Sequence, residues 1–177
     1  MEAAFAWLGQ LMETLLKFFP RLTIIEATQG GIKMRRGNEI TELAPGLVWH
    51  WPLITVVKVV TTVRDTMDLP GQTFTTKDNR TVLCSAMVQY QINDVVKLLT
   101  TAPDYTNTIA DLVMNAVHDT FIQYTWDELR AGITDGTLRK EMKKAAQQEL
   151  AGFGVKVISV GLKDNAIARV LKIVQDI

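Results

Sequence analysis

Cys84, His50, His118 and a handful of carboxylates are the side chains of this 177-residue chain that could break or make bonds. A nucleophilic thiol needs a base beside it. Cys84, the single cysteine, alternates with Val82, Ala86, Val88, Tyr90 and Ile92 along one stretch. That period of two predicts a strand with one buried face, and so a packed, inert thiol. The two histidines show neither HxxxH nor HxH spacing, and a metal centre needs three or four ligands. Asp119 follows His118, but adjacent positions on a helix point in different directions. Asp127 and Glu128 read as first-turn helix residues, and Asp164 as a strand end. No phosphate-cradling glycine loop of the GxxxxGK[ST] or GxGxxG kind is present. The residues therefore assign no catalytic, cofactor-binding or metal site, and the chain reads as a non-enzyme that takes no cofactor.

A different cluster stands out. The stretch APGLVWHWPLI, residues 44–54, sets two of the four tryptophans, Trp49 and Trp51, around His50. An aromatic cage, a metal site, a piece of core and a surface that meets apolar material are four readings of it.

The elements that must position these residues follow from pattern. Apolar residues make up 47% and charged residues 21%, so the chain should fold. Nineteen basic and nineteen acidic side chains balance, which argues against a nucleic-acid partner. The opening MEAAFAWLGQLMETLLKFFPRLTII is apolar but interrupted by Glu13, Lys17 and Arg21. No run reaches the roughly 20 apolar residues that span a bilayer, and no signal-peptide pattern is present. A helix over residues 3–19 gathers Ala4, Trp7, Leu8, Leu11, Leu15, Phe18 and Phe19 on one side. It either lies in a membrane interface or packs on the protein's own core.

Strands are predicted at 22–27, 32–36, 39–43, 47–51, 56–63 and 82–92, separated by Gly30-Gly31, Gly37-Asn38 and Pro45-Gly46, with a hairpin bend at Lys77-Asp78-Asn79. Asn93 or Asp94 caps a helix, a long one fits 104–123, and TWDE at 125–128 matches a capping box. A third helix fits 137–151, stopped by Gly152 and Gly154. A strand follows at 155–163, and helical spacing returns from Asn165. The order predicts an α+β fold. Two basic clusters, Lys33-Arg35-Arg36 and Arg139-Lys140-Lys143-Lys144, read either as solvated faces or as attraction to anionic lipid.

In this order of residues the chain resembles the SPFH group of stomatin, prohibitin and flotillin. GGIKMRRG, APGLVWHWP, Val59 to Arg64, LPGQTFTTKDNRTVLCSAMVQYQI, WDELRAG and GVKVISVGLKD carry the resemblance over roughly residues 24–164. It implies an SPFH (prohibitin-homology) fold: a membrane-associating segment at 1–21, a β-rich subdomain at 22–90, an α+β subdomain at 91–164 and the start of a C-terminal helix at 165–177. It implies a non-enzymatic scaffold that sits on membranes, self-associates into a ring or cage and organises a lipid microdomain. A regulator of a membrane protease or channel is the alternative. Its partners would be membrane lipids and its own copies, at the cytoplasmic face. Family members usually continue into a long coiled coil; this chain reads as a minimal or truncated member. The resemblance makes Phe5, Trp7, Leu8, Leu11, Leu15, Leu16, Phe18 and Phe19 the expected anchor. It also offers an answer for the tryptophans. In a strand, Leu47, Trp49 and Trp51 share a face and Val48 and His50 the other. Indole suits the headgroup zone, so Trp49 and Trp51 either dip into the same bilayer or fill the first subdomain's core.

Overall fold

The computed structural model describes residues 11, 12 and 18–167, the side chains as far as residue 163. The chain folds as two compact units that divide at Val63/Arg64.

From residue 18 onward the regular structure of the first unit is all β. Its strands are β1 (Arg21–Ile25), β2 (Gln29–Arg35), β3 (Glu39–Leu43), β4 (Gly46–His50) and β5 (Thr55–Thr61). β1 and β4 form a two-stranded antiparallel ribbon, and a three-stranded sheet runs β3-β2-β5. Gln29 N donates to Glu26 O to turn β1 into β2, and Thr55 N donates to Trp51 O at 2.9 Å to close the β4–β5 turn. Among the described residues of this unit, Ile25, Ile32 and Val60 are the buried apolar side chains. The ribbon meets the sheet at Gly31: a Cβ there would lie 3.3 Å from Ile25 Cδ1 and 2.9 Å from the Lys58 carbonyl oxygen. Glycine leaves the room that Ile25 fills.

The second unit carries the larger core. β6 (Asp65–Thr75), β7 (Thr81–Ile92) and β8 (Val155–Ile167) form an antiparallel sheet in the order β6-β7-β8. Between β7 and β8 run α1 (Val95–Thr101), α2 (Tyr105–Gln123), α3 (Trp126–Asp135) and α4 (Thr137–Leu150), then a short 3-10 turn at Ala151–Phe153. α2 and α4 pack on each other, and α4 packs on β8. The alternation of β7 is as the sequence predicts. Val82, Cys84, Ala86, Val88, Tyr90 and Ile92 are buried, as are Val113, Val117, Phe121, Met142 and Ala146 of the helical layer. Burial, with Asp65 acting the same way, pushes the Tyr90 phenol up to about 12. Pro70 cannot donate to a ladder, and the β6–β7 register shifts between Leu69 and Gln72, around it.

Two expectations meet a different arrangement. The sequence places a boundary near residue 90, where strands give way to helices. The division lies at Val63/Arg64 because β6 and β7 are hydrogen-bonded into one sheet with β8 and carry the helical layer's core. The helical spacing from Asn165 is overridden as far as Ile167. Asn165, Ala166 and Ile167 pair with Cys84, Leu83 and Val82. Residues beyond 167 lie outside the described residues.

The Asp94 cap and the capping box follow the sequence, and Asp104, read there as the first residue of the long helix, is a further cap. Asp94 accepts from Lys97 N at 2.8 Å, and Asp104 from Asn107 N. At α3 the capping box closes in both directions: Thr125 Oγ1 accepts from Glu128 N, and Glu128 Oε2 accepts from Thr125 N at 2.8 Å. The Thr125 N–H, then its hydroxyl, hold the Glu128 carboxyl below the ordinary carboxylate range. A depressed folded-state pKa stabilises above the unfolded value, and that contribution is lost as pH falls through the folded one. Thr125→Ala keeps the backbone bond and loses the hydroxyl. The Glu128 titration midpoint, followed by NMR, is therefore expected to move part of the way back up.

Candidate functional site

The chemistry-bearing side chains do not converge. Cys84 is fully buried in β7, with Sγ 3.6 Å from the Ser85 carbonyl. His50 Nδ1 lies 3.4 Å from Thr23 Oγ1 in the first unit. His118 stands on α2 in the second, its ring 5.4 Å from Phe74. One detail differs from the sequence reading. Exposed side-chain rotamers bring His118 Nδ1 within 3.6 Å of Asp119 Oδ1, although the two are neighbours along a helix. Asp127 and Glu128 occupy the first turn of α3. Asp164 pairs opposite Ser85 within β8. Among the described residues no three His, Cys, Asp or Glu side chains gather where a metal could be held. The α3–α4 turn encloses about 330 Å³, lined in part by Ile133, Leu138, Arg139 and Met142. The carboxylate of this turn, Asp135, is held low by the Thr137 hydroxyl and N–H. Arg139, Lys140, Lys143 and Lys144 lie exposed along α4.

What does converge is apolar. In an antiparallel pair, directly opposed residues share a face. The β1–β4 register sets Leu22 against Trp49 and Ile24 against Leu47. All four point away from the unit's core, with Ile24 67%, Leu47 62% and Trp49 64% exposed. The intervening residues face inward: Ile25 is buried, and Thr23 meets His50. The ribbon thus turns its greasier face to solvent. A two-stranded ribbon in water alone would do the reverse. Trp51, 51% exposed, continues the surface into the β4–β5 turn, where Leu53 and Ile54 are also exposed.

The register gathers more at that end. Arg21 pairs with His50, so the chain enters β1 beside the β4–β5 turn. Phe18 and Phe19, both exposed, immediately precede that entry. Contiguous exposed apolar surface of this kind marks contact with something else.

Of the residues expected to meet lipid, Trp49, Trp51, Phe18, Phe19 and Leu11 are exposed. The reading of Trp49 and Trp51 as core is overturned: more than half of each residue is accessible. Phe5, Trp7, Leu8, Leu15 and Leu16 lie outside the described residues. Leu22 and Ile24 join the surface without having been singled out, and Leu47 joins it on the face that it shares with Trp49 and Trp51. Alternation in LTII and LVWHW puts each set on one face, but only the pairing of β1 with β4 joins the two. Among the described residues no helix is long and apolar enough to cross a membrane.

Basic groups border this surface. Lys33 Nζ donates to the Trp49 carbonyl at 3.3 Å. Arg35 ends β2 and Arg36 follows it beside the β4–β5 turn, where Arg36 N donates to Ile54 O at 2.8 Å. Residues 18–63 carry five basic side chains (Arg21, Lys33, Arg35, Arg36, Lys58) and three acidic ones (Glu26, Glu39, Glu42).

Comparison with known proteins returns several relatives. An uncharacterised protein of Archaeoglobus fulgidus is 28% identical over 158 residues, which cover 89% of this chain and 63% of that protein. An uncharacterised protein of Methanocaldococcus jannaschii is 27% identical, over 94% of this chain and 86% of its own length. A stomatin homologue of Pyrococcus horikoshii is 23% identical over 87% of this chain and 57% of its own length. The chain thus spans less than two thirds of the first and third of these. The model of the SPFH domain / Band 7 family matches residues 23–172, from the apolar ribbon through the whole helical layer. With the ribbon, the two units and most of the sequence inside one match, this chain belongs to the SPFH domain / Band 7 family.

Proposed function

We propose that the protein is a non-enzymatic, membrane-associated scaffold whose copies assemble into a ring or cage and organise a patch of membrane. The observation that carries the membrane part is the outward face of the β1–β4 ribbon. Leu22, Ile24, Leu47 and Trp49 are held in register and left in water, with Trp51, Phe18 and Phe19 at one end. Tryptophan at such an edge suits a bilayer's headgroup zone. In this reading the first unit is the one that meets lipid, and the apolar stretch at 3–19 lies in the same interface. The likeness to a stomatin homologue supports the same class of function.

The magnitudes favour more than one copy. About seven side chains, each gaining about 1 kcal/mol on partial burial in lipid, give about 7 kcal/mol gross. Association and ordering take back several kcal/mol. A single copy then binds reversibly, while linked copies are retained by avidity. Sedimentation velocity and electron microscopy of the detergent-solubilised protein should reveal closed particles of many copies that float with phospholipid vesicles. A monodisperse single chain would overturn the assembly. A one-to-one complex with a membrane protein would favour the regulator of a protease or channel.

A further inference from the structure

The turn between β2 and β3 is occupied by a residue its backbone does not favour. Asn38 N donates to Arg35 O at 3.2 Å, closing a four-residue turn. Both central residues have positive φ, 50° at Arg36 and 74° at Gly37. Hairpin turns of this kind select Asn, Asp or Gly at the first centre, because a Cβ crowds the backbone there and only the short polar side chains offset this with a local hydrogen bond. An arginine at such a strained position points to a task for its side chain.

Its surroundings suggest the task. Arg35 pairs with Thr55 across the β2–β5 ladder, and Arg36 N reaches Ile54 O. The β2–β3 turn is thereby fixed against the β4–β5 turn. A groove of about 470 Å³ lies there, lined by Met34, Pro52, Leu53, Ile54 and Val56, with Arg36 its one charged lining residue. Leu53, Ile54 and Val56 are exposed. Among the described residues no carboxylate forms an ion pair with Arg36. Arg35 meets Glu39 only at 3.9 Å, between two exposed side chains, a weak pairing.

We propose that this end of the first unit is a selective contact for anionic bilayers. Leu53, Ile54 and Val56 enter the acyl boundary beside Trp51. Arg36, with Arg35 beside it, binds the phosphate and acidic headgroup oxygens of the lipid. Guanidinium is suited to phosphate because its planar donors bind two oxygens at once. Weak apolar insertion and a basic patch together give anchoring that neither gives alone. The inference rests on the membrane reading above and adds to it the lipid class and the residues that select it.

Arg36→Asn separates strain from function, since asparagine suits the turn and carries no charge. The intact protein and this variant are floated with phosphatidylcholine vesicles, with and without phosphatidylglycerol. The wild type should prefer the anionic vesicles, and added salt should erase the preference. The variant should bind them about fivefold more weakly, the effect of one basic residue at a charged surface. Its binding to neutral vesicles should be unchanged, and its Tm equal or higher. A variant that keeps the full anionic preference, or that melts below the wild type, overturns the inference and leaves the membrane reading standing. A wild type that floats with neither vesicle overturns both.

Discussion

Replacing Leu22, Ile24, Leu47 and Trp49 together with serine is expected to weaken vesicle binding about a thousandfold and to leave the protein folded. Each of the four is already about half or more exposed, so serine forfeits little burial within the unit. The folding cost is limited to two cross-strand pairs, Leu22/Trp49 and Ile24/Leu47, at about 0.2–1 kcal/mol each. On a bilayer the same side chains contribute about 1 kcal/mol each, about 4 kcal/mol in all, and every 1.4 kcal/mol is about tenfold in affinity. The large loss should therefore appear in flotation, with the circular dichroism spectrum unchanged. Trp49→Ser alone should lose about fivefold and serves as the check if the quadruple variant folds poorly. Unaltered flotation of a folded variant would remove the ribbon from the lipid.

The second large effect concerns stability. Gly154 links the end of the helical layer to β8 with φ +71°. A Cβ built on it would lie 2.7 Å from Asp94 Cβ and 2.8 Å from Asp94 O. Its own carbonyl accepts from Asn93 N and Asp94 N, at 3.0 and 3.1 Å. Alanine must therefore adopt a left-handed backbone and also push away the segment that caps α1. The conformational part costs about 1–2 kcal/mol and the overlap about 1–3 kcal/mol more. Gly154→Ala should thus destabilise by about 3 kcal/mol and lower Tm by about 10 °C. Gly136 is the built-in control, with φ +77° and no atom within 4 Å of where its Cβ would stand. Gly136→Ala should show only the conformational part. Equal losses in calorimetry would mean that the overlap at Asp94 relaxes at no cost.

Much of the fold is legible because its signals are local. The β7 alternation, the Asp94 cap and the TWDE box each depend on residues within a few positions, and each folds as its pattern dictates. What is not legible depends on pairing across long stretches. Nothing within residues 65–92 says that β7 will take β8 as its other neighbour, so the unit boundary reads about 27 residues too late. The strand pairing likewise overrides the helical spacing at 165–167.

The candidate site shows the same division. Trp49 and Trp51 stand out by type. Leu22 and Ile24 look like ordinary strand residues until β1 is set beside β4, a partner that is not its neighbour in sequence. Arg36 reads as one of a basic cluster. Only its φ of 50° and the groove beside it distinguish it from Arg35.

The ribbon's contact with lipid is tested most directly by its own indoles. The four tryptophans are Trp7, Trp49, Trp51 and Trp126. Variants that retain one each, the others changed to phenylalanine, can be bound to vesicles containing brominated acyl chains. Trp49 and Trp51 should shift to shorter emission wavelength and be quenched, while Trp126, at the start of α3, should keep its emission. Trp49 and Trp51 emitting from vesicle-bound protein as they do in buffer, no more quenched than Trp126, would contradict the lipid-facing ribbon.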